Sequence, residues 1–335
     1  MRRPRWGVFP MRRVCAAFLV IILLLTGCGD SGGGSSSGDK VTYLTAFGAV
    51  GRDAFAWVAQ EKGYFRDAGL DVTIRLGAAT GENLKVLAAG QAQFANLDLT
   101  GTWILAGKGE YPDVRAIAAI HQQTLVSIIS LAGAGITTPK DLEGRKLGAA
   151  TGSVNQLLFP AYAKLAGVDQ AKVTWVNAPP AQLPALLASN RVDALSTFLI
   201  GAKGLEKAAG GTKTVVLPYS AYLPELFGNG LIAPLVITRD QPDLARRFRD
   251  AALKGLAYTM EHPQEAAEIM KKAQPAADIT AAVGEITLMA PYVKTSGVID
   301  RQRVAAEIDT LQKNGLIPPG LTPDTAVDFA LAPAG

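Results

Sequence analysis

Four short stretches carry residue types that could recognise a small molecule. Phe47-Gly48-Ala49-Val50-Gly51-Arg52-Asp53 joins two glycines, which let the backbone approach a ligand, to a ring that can stack on another ring and a guanidinium that can pair an anionic group. The competing reading of its last two residues is a tight turn with Asp53 as a helix N-cap and Arg52 in solvent. Asn96, Asp98 and Thr100 form a second set. Its carboxylate can accept hydrogen bonds from an amino-substituted heterocycle, or Asp98 or Thr100 can cap a helix over Thr102 to Gly107. Thr151-Gly152-Ser153-Val154-Asn155 is a small-residue turn opening a helix, whose free N–H groups and positive end suit an anion or a carbonyl oxygen. Thr197 and Phe198, with Tyr219 and Tyr222 further on, supply the apolar wall of a small-ligand pocket, or else core aromatics. His121 with Gln122 offers hydrogen-bonding groups, although a lone histidine after an apolar run is more often structural; His262, before Pro263, reads as surface. No Ser-His-Asp arrangement, metal-spaced histidines or phosphate-binding Gly-Lys motif emerges. The expectation is ligand binding without a catalytic residue, a metal or a cofactor.

These stretches fall at the ends of expected strands. Val41 to Phe47 reads as a strand, Asp53 to Lys62 as a helix, Asp71 to Leu76 as a strand, Gly81 to Ala89 as a helix and Gln93 to Leu97 as a strand. The pattern returns about 100 residues later: strand Lys146 to Ala150, helix Val154 to Leu165, strand Lys172 to Val176, helix Ala181 to Ala188, strand Val192 to Thr197. Each β-α-β-α-β run implies a mostly parallel sheet with its binding edge at the carboxyl ends of the strands. The apolar runs Val114 to His121 and Leu125 to Leu131, interrupted by Gln122-Gln123-Thr124, predict a first crossing between two α/β lobes, and Leu231 to Thr238 a return. Amphipathic helices follow over Pro242 to Glu261 and Asp300 to Asn314, the latter capped by Asp300 and Gly315. Covering the first lobe, they make it discontinuous: 41–123 plus 235–335, with 124–234 as the second lobe.

A chain of 335 residues with 49% apolar content can bury more than one core. The formal charge of +4 suggests a polyanion partner, but 33 basic residues less the five arginines of residues 1–27 leave 28 against 29 acidic ones. No nucleic-acid footprint remains. The uncharged run Val14 to Leu25 is too short to span a bilayer and reads as the apolar core of a signal peptide, with Met11 as an alternative start to Met1. Its ending, Leu25-Thr26-Gly27-Cys28, resembles a bacterial lipobox, which implies cleavage after residue 27 and acylation of Cys28. Cys15 lies in the leader, so no disulfide or Cys-rich metal site is expected. From Gly29 to Lys40, nine of twelve residues are Gly or Ser, a flexible tether of roughly 20 Å reach. The expected location is the extracytoplasmic face of the cell membrane, held by a lipid anchor.

Ala59-Gln60-Glu61-Lys62-Gly63-Tyr64-Phe65, Ala68-Gly69-Leu70-Asp71-Val72, Leu87-Ala88-Ala89-Gly90-Gln91-Ala92 and Thr138-Pro139-Lys140-Asp141-Leu142-Glu143-Gly144-Arg145-Lys146 occur in that order. Together they resemble the substrate-binding proteins of ABC importers for nitrate, sulfonates, taurine and thiamine-pyrimidine precursors, over about Val41 to Ile317. Leu253-Lys254-Gly255-Leu256 and Asn314-Gly315-Leu316-Ile317 are more similar to the pyrimidine-precursor and riboflavin branch. The resemblance implies an α/β, two-lobed type II periplasmic-binding fold, each lobe a mixed, mostly parallel sheet flanked by helices. It also implies a monomer that traps a small ligand in the cleft and docks on an ABC permease with its ATPase. One rival is the pyrimidine synthase of the same wider family, which carries a cysteine cluster this chain lacks after Cys28. Another is a ligand-sensing receptor subunit.

Overall fold

The computed structural model describes residues 38–334; the leader, the lipobox-like Cys28 and the tether up to Ser37 lie outside them. In β1 (Asp39–Leu44), Val41, Tyr43 and Leu44 are buried. The chain then runs through α1 (Ala54–Glu61), α2 (Tyr64–Asp67), β2 (Leu70–Arg75), α3 (Thr80–Ala88), β3 (Phe94–Asp98), α4 (Leu99–Gly107) and β4 (Val114–Ala119). The expected β-α-β-α-β run is present, with boundaries shifted by one to three residues. Helix α4, Leu-Thr-Gly-Thr-Trp-Ile-Leu-Ala-Gly, is buried over all but its last residue. It carries no charged residue and is buried all round because it lies between other elements, with the hydroxyls of Thr100 and Thr102 hydrogen-bonded inside.

The second lobe repeats the plan with β5 (Val126–Leu131), β6 (Lys146–Ala149), α5 (Val154–Leu165), β7 (Thr174–Asn177), α6 (Leu183–Ala188), β8 (Ala194–Phe198), α7 (Ala202–Ala208) and β9 (Thr214–Pro218). The first sheet has strand order β2-β1-β3-β10-β4, with β10 (Asn229–Pro234), and the second has β7-β6-β8-β5-β9. In each, three strands are parallel, and the next is the antiparallel strand that has just crossed from the other lobe, β10 in the first and β5 in the second. The two lobes thus exchange one strand position each.

The crossing at 120–125 falls where the interrupted apolar runs place it. The return does not. Leu231 to Thr238 is not one crossing strand: β10 already belongs to the first sheet, and Leu235–Asp240 is a helix, α8. Pro234 is the physical reason, because it caps α8 and brings no N–H with which to extend a ladder. The chain therefore re-enters the first lobe before Asn229, ahead of the boundary at 234. The two crossing segments lie side by side, with Thr124 N–H donating to Leu226 O, His121 N–H to Asn229 O and Gly228 N–H to His121 O. A Cβ on Gly228 would stand 2.8 Å from Gln123 O, so this close approach requires glycine.

Beyond β10 and α8 come α9 (Pro242–Glu261), α10 (Pro263–Ala273), α11 (Ile279–Met289) and α12 (Arg301–Lys313). Helix α9 packs on α1 and buries Leu244, Phe248, Ala252 and Leu256, with Phe248 stacked on Phe94 at 4.0 Å. Asp300 caps α12 by accepting from Arg303 N–H. No helix among the described residues is long and apolar enough to cross a membrane.

Candidate functional site

The loop after β1 is held rigid before it presents any side chain. Thr45 donates its hydroxyl to Gly48 O at 2.7 Å and accepts from Gly77 N–H, while Gly48 N–H donates to Gly77 O. Asn83, inside α3, accepts from Ala78 N–H and donates to Thr45 O and Ala46 O. The loops that follow β1 and β2 are thereby pinned together. They form one wall of a cavity of about 550 Å³ whose opposite wall is the second lobe: Pro179, Pro180 and Leu183 before and in α6, Leu195, Thr197 and Phe198 of β8, and Ile200, Gly201, Gly204 and Leu205 beyond.

Arg52 stands at the floor. It is 3% exposed, its guanidinium 3.9 Å from the ring centre of Phe198 and 5.5 Å from that of Phe47. The two rings meet edge-on at 5.9 Å across the lobes. Three carboxyls surround this cation. Asp53 Oδ2 is 3.9 Å from Arg52 Nε, Glu285 of α11 accepts from the backbone N–H of Arg52 at 3.4 Å, and Asp98 lines a small void of about 10 Å³ together with Arg52, Phe47, Ser153 and Phe198. Asp53 Oδ1 accepts from Ala46 N–H and from Asn96, but Asp53 Oδ2, Asp98 Oδ2, Arg52 Nε and Ser153 Oγ have no hydrogen-bond partner.

Burial dominates the titration of this group. It raises the carboxyls of Asp53 and Glu285 above their ordinary range, against the pull of Arg52. It pushes Asp98 up to about 7, against the Gly101 N–H and Arg52. Burial also lowers the Arg52 guanidinium, which the neighbouring carboxylates oppose, and it stays charged at neutral pH. His121, buried at the crossing, is driven down to about 3 by burial and then by Arg52, so it is neutral. Its Nδ1 accepts from Asn229 N–H, which assigns the proton to Nε2, an atom without a partner.

Of the residues singled out in the sequence, Phe47, Gly48, Arg52, Thr197 and Phe198 line the main cavity, and Asp98 and Ser153 line the adjoining void. Asn96 sits behind Asp53 as its donor. Thr151 instead lines a neighbouring cavity of about 340 Å³ with Ala78, Pro179 and Pro180. Gly152 O accepts Gly81 N–H at 3.2 Å across the lobes, and Asn155 donates to Thr197 O. Three candidates are taken up elsewhere. Thr100 is bonded to Phe227 O and Glu307, Gln122 donates to Ala119 O and Val298 O, and Tyr219 stacks on Tyr162 at 4.1 Å with its hydroxyl on Ser196 and Asn155 O. Each lies next to a strand end, but its side chain satisfies a buried partner on the far side of the sheet or at the crossing.

Two contributors were not anticipated. Asp53 is a buried acceptor that makes no side-chain capping bond. Glu285 arrives on α11, whose Asp278 cap and Ala282, Ile286 and Met289 spacing would have revealed the helix but not its proximity to Arg52. Among the described residues, no group of three or more His, Cys, Asp or Glu side chains is placed to hold a metal ion.

Residues 53–266 match the family model described as NMT1/THI5 like. The formylaminopyrimidine-binding protein of Halalkalibacterium halodurans is 28% identical over 217 residues, 64% of this chain and 65% of that protein, so the match spans just under two thirds of the relative. A protein of Legionella pneumophila named 4-amino-5-hydroxymethyl-2-methylpyrimidine phosphate synthase is 27% identical, over 65% of this chain and 68% of its own. Among solved structures, the alkanesulfonate-binding protein SsuA from Xanthomonas axonopodis pv. citri, bound to MOPS, superposes with a TM-score of 0.68 at 13% identity, over 87% of this chain and 98% of the other. The fold is that of the periplasmic binding proteins.

Proposed function

The chain belongs to the NMT1/THI5-like family, and from that premise we propose that it is the solute-binding component of an ABC importer, capturing a small organic molecule between its lobes and delivering it to a permease. The observation that supports this reading is one cavity of about 550 Å³ whose wall is shared by strand-end loops of both lobes. That size is usual for small-molecule sites, and hinged lobes joined by two crossing segments can open and close around it.

The inferred solute is a planar heterocycle bearing N–H donors. Phe47 and Phe198 offer ring faces and edges, Thr197 and the Gly48 backbone polar contacts, and Arg52 a charge-assisted donor. Asp98 Oδ2 lacks a donor in the small void that adjoins the cavity at Phe47, Arg52 and Phe198, and an amino group on a heterocycle is the kind of donor that suits it. A sulfonate or nitrate would meet one guanidinium among three carboxyls. The formylaminopyrimidine-binding relative supports the same choice. In this reading the protein acts as a monomer without a cofactor, held by acylated Cys28 to the extracytoplasmic face of the membrane, and returns its ligand unchanged.

Titration calorimetry against aminopyrimidines, flavins, taurine, alkanesulfonates and nitrate tests it. One-to-one binding of an amino-bearing heterocycle, recovered unaltered, is expected. Absence of binding across the panel, or conversion of the compound during incubation, would overturn it.

A further inference from the structure

Two helix N-termini meet across the cleft. Helix α4 begins at Leu99 in the first lobe and α5 at Val154 in the second. A Cβ on Gly101 would stand 2.9 Å from Val154 Cβ, so their first turns touch. Ser153 caps α5 by position, yet its hydroxyl makes no capping bond. It faces the same small void as Arg52 and Asp98. All three side chains are 3% exposed, and Arg52 Nε, Asp98 Oδ2 and Ser153 Oγ are each unpartnered. Two positive helix ends, a guanidinium and a hydroxyl converging on one buried point have the chemistry of an anion site. The group occupying it is the carboxyl of Asp98, whose Oδ1 accepts Gly101 N–H at 2.9 Å.

We propose that Asp98 is a resident anion: it fills the electropositive point where α4, α5 and Arg52 converge, and so makes the cleft reject small anionic solutes. Asp98 is then a specificity-determining residue. The inference rests on the reading of the cleft as a solute site, but it concerns anions alone and is measured with them.

The probes are sodium methanesulfonate and sodium nitrate, titrated at about pH 8, above the value of about 7 to which burial pushes Asp98, so that its carboxylate is charged. Sodium chloride serves as the ionic-strength control. The wild-type protein is expected to show no saturable binding of either anion. Asp98→Asn removes the charge, and Asp98→Ser also keeps an oxygen for Gly101 N–H should the amide disturb the cap. Each is expected to gain at least about tenfold in affinity for one of the anions, and the added Arg52→Gln should abolish the gain. Wild-type binding of either anion with Kd below about 1 mM, or folded variants as indifferent as the wild type, overturns the proposal. Failure of the heterocycle panel alone would instead count against the solute reading and leave this result standing.

Discussion

Glu307 is buried in the middle of α12, away from the cavity, and its surroundings suit a neutral group. Phe227 N–H donates to its Oε2 at 2.8 Å, Thr100 Oγ1 lies 2.5 Å from Oε1, and the same hydroxyl lies 2.9 Å from Phe227 O. A protonated Glu307 closes this ring: it donates to Thr100, and Thr100 donates to Phe227 O. An ionised Glu307 competes with Phe227 O for the single Thr100 proton, in a site without water contact. Burial accordingly pushes its pKa up from 4.5 to about 8, only partly offset by those two hydrogen bonds, with Asp98 adding to the rise and Arg303 opposing it.

The sign follows from which state holds the proton. Below pH 4.5 both folded and unfolded chains are protonated, and the group's full contribution is present. Between 4.5 and about 8 the unfolded chain has released the proton that the fold retains, so stability falls as pH rises. Above that window the loss is complete, on the order of 5 kcal/mol at about 1.36 kcal/mol per pH unit. Glu307→Gln reproduces the protonated form, with its amide donating to Thr100 and its oxygen accepting from Phe227. Urea unfolding of both proteins at several pH values between about 5 and 9 checks this. The variant should match the wild type at the acid end and exceed it by roughly 3 to 5 kcal/mol at the alkaline end. Parallel pH profiles, or a variant that is less stable throughout, would refute the reasoning, because they would mean that the buried carboxylate is ionised and held by charge.

Phe198→Ala removes the ring that Arg52 covers and that Phe47 meets across the cleft; solute affinity of the folded variant should fall about tenfold or more, read by calorimetry, and because the ring is buried the unfolding midpoint should fall as well. Gly101→Leu drives a side chain into Val154 of the other lobe while improving the helix propensity of α4. It should therefore weaken ligand binding and enlarge the radius of gyration in solution scattering of the ligand-saturated protein, and an unchanged affinity would show that the lobes need not close this far. Cys28→Ser should release the protein from the membrane fraction into the soluble fraction on cell lysis, as expected if the thiol carries the lipid.

The element pattern was legible because it is local. Alternation in β1, the heptad-like spacing of α9 and the Asp300 cap of α12 are properties of neighbouring residues, and two repeats of β-α-β-α-β leave few ways to build a sheet. The loops after β1 and β8 were legible as the edge that lines the cavity for the same reason, since parallel strands direct their carboxyl ends to one side. Side-chain fate was not. Thr100, Gln122 and Tyr219 stand beside strand ends, as Phe47 and Phe198 do, yet each is claimed by a partner between 3 and 207 positions away that no local pattern reveals. Glu285 reaches Arg52 over 233 positions, and β10 joins the first sheet by pairing with β3 and β4, strands far back along the chain. Periodicity and turn chemistry thus determined the elements and the strand-end edge at which the cavity opens. Only the packed lobes decided which polar groups were left unpaired there, because a buried donor or acceptor takes whatever partner the fold brings to it, from any distance along the chain.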